Sequence, residues 1–207
     1  MNDLDINDID WIDFGSNVAR DPEKLVRCGW RSKASQTLRF KVLAKEIRSN
    51  ESVLDVGCGT GDFFQYIMLE RDLPLIKEYT GTDLSSELIT IAKQRYAEYS
   101  AEFMTKDILK HAVTPETRKF DVVVASGIFT LRKYRSLEYL DAMITRMMEL
   151  SNRVVAFNLL STFADDIQDS SRYYSPSEAI MLMSRHTHKF KLLHDYAPHD
   201  FTCVLYK

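Results

Sequence analysis

Cysteine is scarce in this chain of 207 residues: Cys28, Cys58 and Cys203 are widely spaced, odd in number and form no CxxC pair. That pattern excludes a zinc ribbon and a disulfide framework, and reduced thiols in a cytoplasm are the simple expectation. Long apolar runs are missing too. Nothing approaches the roughly 18 apolar residues that a bilayer-spanning helix needs, so no membrane is expected as a partner. The opening stretch, MNDLDINDIDWIDFG, is acidic and lacks the basic start and apolar centre of a signal peptide. Basic residues are in no excess: the net charge is −3, so no general field attracts nucleic acid. Proline and glycine are also few, at five and seven, yet three of the glycines fall at Gly57, Gly59 and Gly61.

The remaining composition, 45% hydrophobic and 28% charged, suits one globular domain large enough to bury most of its apolar surface. Elements alternate along it. From Ser35, a plausible N-cap, Leu38, Val42, Leu43 and Ile47 share one helical stripe. Five β-rich runs follow at 52–57, 78–84, 101–107, 120–127 and 153–160, with helical patterns at 62–71, 85–99, 136–151 and 175–186. The methionines between Met143 and Met148 follow helical spacing and read as core. The tail adds FKLLHDYA and DFTCVLYK, joined by a turn at Pro198 too short for a parallel crossover, so the last strand must run antiparallel. The expectation is an α/β fold: a doubly wound, seven-stranded sheet, mostly parallel with an antiparallel last strand, and helices on both faces.

The stretch VLDVGCGTGDF at 53–63 carries the chemistry. A P-loop needs GxxxxGK[ST], and no lysine follows here. A dinucleotide turn needs GxGxxG, whereas Asp62 occupies the third glycine's place, at a helix start where a pyrophosphate would otherwise sit. A ligand with an adenosine end and a cationic amino-acid end suits the carboxylates Asp55 and Asp62 better. Asp83, in GTDLS at the end of the next strand, is placed to accept both ribose hydroxyls. Asp107, in TKDIL one strand further on, could accept from the adenine amino group, with Leu84 and Ile108 sandwiching the ring.

On these stretches, VLDVGCGTGDF, GTDLS, TKDIL, FDVVVASGIF and the reversed last strand, the chain resembles the class I S-adenosylmethionine-dependent methyltransferases over nearly its whole length. The resemblance implies a transferase with S-adenosylmethionine as cofactor and S-adenosylhomocysteine as product. It assigns cofactor binding to Asp55, Gly57, Gly59, Gly61 and Asp83, and extends it to Asp107, Ile108 and Ser126. Residues 1–50 then read as an acidic leader and lid helix, and 51–207 as the Rossmann-like methyltransferase domain, together one globular unit.

Ligands of such sheets gather beyond the carboxyl ends of the strands. That edge collects Phe129 after the fourth strand, Asn158, Tyr173 and Tyr174 around and after the fifth, and His199 in the last turn; the lid could add Trp30, Gln36 and Arg39. His199 is the first candidate for a general base, because histidine ordinarily titrates near neutrality, and Tyr174 is the second, as a donor or orienting group. No metal motif appears. The chain has ASGIF where DNA amino-methylating enzymes carry [DN]PP[YF], and no cysteine follows a proline as in cytosine C5 enzymes. By elimination a small molecule is the expected acceptor; GWRSKASQTLRF, ASGIF, FNLLS, YYSP and HDFT are also similar to bacterial methyltransferases that accompany surface-sugar or secondary-metabolite pathways, and that resemblance implies a hydroxyl or amine of a sugar or metabolite. A protein or RNA acceptor, or a non-catalytic scaffold that keeps the cofactor pocket, are the alternatives. A monomer or homodimer is expected.

Overall fold

The structure, a computed structural model, describes Asn17 and residues 32–69, 73–110, 112–130, 136–169 and 171–207. The leader and Trp30 therefore lie outside the described residues. So does Cys28.

Helix α1 (Lys33–Ala44) leads into strand β1 (Ser52–Val56), then α2 (Asp62–Leu69), β2 (Glu78–Asp83), α3 (Ser86–Arg95), β3 (Ala101–Thr105) and β4 (Phe120–Ala125). The second half runs α4 (Leu137–Leu150), β5 (Ser151–Leu160), α5 (Pro176–His186), β6 (Phe190–Leu193) and β7 (Asp200–Tyr206). Seven strands form one sheet in the order β3-β2-β1-β4-β5-β7-β6. All neighbours pair in parallel except β7, which runs antiparallel to both β5 and β6, as the short join at Pro198 requires.

Three serines start helices by accepting a first-turn amide, each offsetting one of the otherwise unpaired donors of a helix N-terminus. Ser85 caps α3 and Ser136 caps α4. At α1 the cap is Ser32 and not Ser35: the Ser32 hydroxyl accepts from Ser35 N at 3.1 Å, so Ser35 already lies in the first turn. The tail strand is also shorter than FKLLHDYA implies. From His194 the chain leaves the sheet, and the ring contacts the Pro198 carbonyl at 3.1 Å.

Each face of the sheet buries its own apolar layer. On one face α1, α2 and α3 bring Phe40, Leu43, Phe63, Phe64, Ile67 and Ile89 onto Val53, Val122, Val124, Ala156 and Val204. On the other α4 and α5 bring Leu140, Met143, Ile144, Met147, Leu182 and Met183 onto Leu54, Val123, Val155, Phe157 and Leu205. Side chains alternate faces along a strand, so parity assigns every strand residue to one layer. The sheet order reverses between β1 and β4. Ligands of open α/β sheets bind at such a switch point, outside the carboxyl ends of the strands.

Candidate active site

The turn after β1 occupies that switch point. Gly57, Gly59 and Gly61 have φ of 75°, 55° and 80°, a region that suits glycine and costs other residues about 1–2 kcal/mol. Contact adds to conformation. A Cβ at Gly57 would run into Ile128 of the loop after β4, and one at Gly61 would lie 2.6 Å from Tyr96 Cε2. Gly61→Ala is accordingly expected to destabilise the fold by more than about 2 kcal/mol, read as a lowered urea midpoint. An unchanged midpoint would refute this account of the turn.

Gly57 N and Cys58 N both donate to the Thr82 carbonyl, at 2.7 and 2.9 Å, which fastens the turn to the end of β2. Asp83 completes the junction: Oδ2 accepts from Gly59 N and Oδ1 from Ser85 N, each at 2.9 Å. Burial raises its pKa and these amides oppose the rise. The backbone amides of Ser85, Gly59 and Leu84 all act on this carboxylate, which is only half-buried and so remains open to a further donor. Asp62, first in α2, is held by Gln36 Nε2 and Arg95 Nη1, each at 3.2 Å. The helix N-terminus therefore already has its anion.

Asp55 lies beneath the turn on the α1–α3 face and accepts the Tyr79 hydroxyl at 2.6 Å. It is buried away from any opening. Burial raises its pKa to about 7, against the hydrogen bond, and the charges of Asp83 and Asp62 push the same way. Asp107 sits in the turn beyond β3, where Oδ1 accepts from Leu109 N at 2.8 Å, and Leu84 is half-buried just past β2. Ile108 turns inward. It is buried in the α4–α5 layer with Leu54 and Val56, which leaves it no free face for a ring.

A second group of polar side chains lies along the carboxyl edge on the α1 face. Ser126 Oγ donates to Asn158 Oδ1 at 2.9 Å, Asn158 Nδ2 donates to Thr202 Oγ1 at 2.7 Å, and the Tyr196 hydroxyl meets Thr202 Oγ1 at 2.9 Å. Arg39 Nε reaches Asp200 Oδ2 at 2.6 Å, and His199 Nε2 stands 3.4 Å from the same oxygen. Gln36 joins this group to the glycine turn through Asp62.

The fold thus gathers Gln36, Arg39, Ser126, Asn158 and His199. It does not gather the aromatics proposed with them. Phe129 and Tyr174 are buried in the α4–α5 layer with Phe157, so the sheet separates them from Asn158 and Asp200. Tyr173 spends its hydroxyl bracing the loop after β5, accepting from Gln168 N and donating to the Asp166 carbonyl. Asp200, Thr202 and Tyr196 were not anticipated. The signal for the first two was present in DFTCVLY, where Asp200 and Thr202 break an otherwise apolar strand at period two.

A methyltransferase domain family profile matches residues 53–153, which span the glycine turn, β2, β3, β4 and α4. The match includes the Asp83 junction and stops at the start of β5. Residues 53–153 carry a methyltransferase domain, set in the fold of the class I enzymes. Magnesium protoporphyrin IX methyltransferase of Synechocystis, solved with S-adenosylhomocysteine, superposes over 100% of both chains with a TM-score of 0.65 at 15% identity, a likeness of fold. A demethylmenaquinone methyltransferase of Porphyromonas gingivalis is 32% identical over 113 residues, 53% of this chain and 41% of that protein. A non-reducing polyketide synthase of Aspergillus terreus is 35% identical over 79 residues, 37% of this chain. The chain spans only about 3% of that synthase's length. S-adenosylmethionine is the cofactor of this family, and the chemistry of the donor set is compatible with it: Asp83 is a half-buried carboxylate that adjacent hydroxyls could donate to, beside a turn with three glycines of positive φ.

Proposed function

We propose that this domain transfers the methyl group of S-adenosylmethionine to a hydroxyl or amine of a small metabolite. The observation that carries the reading is the buried polar cluster of Gln36, Arg39, Asn158, Asp200 and Thr202 at the carboxyl edge. A compact site closed on one side by α1 can desolvate a small polar acceptor, whereas a polymer needs an open groove. Similarity to enzymes named for quinone, porphyrin and polyketide chemistry supports the same choice.

The bound cofactor supplies an electrophilic methyl on a sulfonium, and in-line displacement gains most from alignment and exclusion of water. Asp83 holds the ribose, and the turn at Gly57–Gly61 gives backbone approach. Asp107 and Leu84 border the adenine side. His199 stays at the acceptor edge as a candidate in proton transfer, while Tyr174, 1% exposed within the core, receives no catalytic part.

Incubating the protein with methyl-labelled S-adenosylmethionine and a cell extract, then separating the extract by mass, tests the reading. Label is expected in a low-mass product. Label confined to protein or RNA would transfer the activity to a macromolecular acceptor, and absence of label from every fraction would favour a scaffold.

A further inference from the structure

Asp200 is the first residue of β7 and pairs with Leu160, the last of β5, so it stands at the carboxyl edge on the same face as Asn158 and Thr202. Its two oxygens have unequal surroundings. Oδ2 takes the Arg39 guanidinium and the flanking His199. Oδ1 is buried and has no hydrogen-bond partner among the described residues. The neighbouring Tyr196 hydroxyl pairs with Thr202 Oγ1 instead.

A structural ion pair elsewhere in this molecule behaves otherwise. Glu51 meets Arg153 through both oxygens, Oε1 at 2.5 Å from Nε and Oε2 at 2.6 Å from Nη2, and Oε2 also accepts from Arg48 N at 2.8 Å. Satisfying both oxygens is the arrangement expected where the pair serves only the fold, because an unpaired buried acceptor is costly. Asp200 keeps that cost at the edge where the acceptor must sit.

We propose that Asp200 is the base of the methyl transfer, its Oδ1 receiving the proton of the acceptor's hydroxyl or amine while Arg39 positions the carboxylate through Oδ2. The proposal rests on the small-acceptor reading above. In the step, the acceptor oxygen or nitrogen forms its bond to the methyl carbon, and the carbon–sulfur bond breaks with its electron pair passing to sulfur. The acceptor's proton passes to Oδ1. A sulfonium cation and a carboxylate anion become a neutral thioether and a neutral acid, so charge balances. Burial raises the pKa of Asp200, opposed by the Arg39 guanidinium and by the neighbouring His199 and His194 side chains. A carboxylate of raised pKa is a stronger base than an exposed one. His199, whose side chain is 47% exposed beside Oδ2, offers the route by which the proton reaches solvent.

The test compares Asp200→Asn with the wild type for labelled-methyl incorporation into the low-mass fraction, at saturating cofactor. Cofactor affinity is measured in parallel by calorimetry. Incorporation is expected to fall at least about 100-fold, the usual scale for loss of a general base, with cofactor affinity unchanged within about threefold. Because this change leaves Arg39 buried without its counter-ion, the double variant Arg39→Gln/Asp200→Asn removes both charges and is held to the same criterion after a cooperative melt is shown. Retention of more than a tenth of the wild-type rate in either folded variant overturns the role of Asp200 and leaves the small-acceptor reading standing. Wild-type label only in macromolecules, or in nothing, overturns both.

Discussion

Asp83→Ala is expected to weaken S-adenosylmethionine and S-adenosylhomocysteine equally, by about 100-fold or more, in calorimetric titration. The carboxylate accepts from Gly59 N and Ser85 N and stands half-buried at the carboxyl end of β2. Two ribose hydroxyls would each donate a charge-assisted hydrogen bond, worth about 1.5–3 kcal/mol apiece. Losing both comes to about 3 kcal/mol at least, and 1.4 kcal/mol is tenfold in affinity. Alanine also releases the two amides that tie the glycine turn to α3, so part of the loss is disorganisation of the turn. Asp83→Asn separates the two contributions. It keeps one acceptor oxygen for a backbone amide but loses the charge, and is expected to fall between wild type and alanine. The equal effect on both ligands is the decisive part, because the ribose is common to them and the sulfonium is not. A variant that lost only the sulfonium ligand would place Asp83 at the methionine end and refute the assignment.

The clustering of the residues proposed for the cofactor was legible because it is local in sequence. Gly57, Gly59, Gly61 and Asp62 are contiguous, and Asp83 ends the next strand, so strand-end counting suffices to bring them together. The sheet order needed no more than the length of each connection: helices between parallel neighbours, a short turn before the reversed strand. The acceptor half depends on longer-range facts. Arg39 and Asp200 lie 161 positions apart and meet only because β7 inserts between β5 and β6, with α1 lying over that side of the sheet. Proximity to a strand end also proved a poor guide where the chain has left the strand. Phe129 and Ile108 follow β4 and β3 by a few residues, but their loops fold back and bury them in the α4–α5 layer. A large apolar side chain at a strand end gains about 1.5–3 kcal/mol by turning inward, and nothing in local sequence opposes that gain. Polar residues inside a strand are the better signal. Asn158 in β5 and Asp200 with Thr202 in β7 would each cost energy in an apolar layer, and all three converge on the edge.

The buried carboxyl of Asp55 sets the second large effect, on stability against pH. Its folded pKa is raised to about 7 from an ordinary 3.8, chiefly by burial, with Asp83 and Asp62 adding to the rise and the Tyr79 hydroxyl opposing it. Between those values the folded state binds the proton that the unfolded state has released. The contribution of Asp55 to stability is therefore greatest below 3.8, declines as pH rises through this window, and levels off above about 7. Over the full window, at ~1.36 kcal/mol per unit, the decline is about 4 kcal/mol. Asparagine removes the titration and can still accept the Tyr79 hydroxyl. The stability of Asp55→Asn relative to wild type should then grow by about 2–3 kcal/mol between pH 5 and pH 8. Asp83 and Asp200, also raised by burial, titrate in both proteins and largely cancel in the difference. Urea unfolding at pH 5, 6.5 and 8 reads this directly. Parallel curves for the two proteins would show that Asp55 is ionised throughout, with Tyr79 alone meeting the charge. A difference that narrowed with pH would reverse the sign and mean that the turn stabilises the anion.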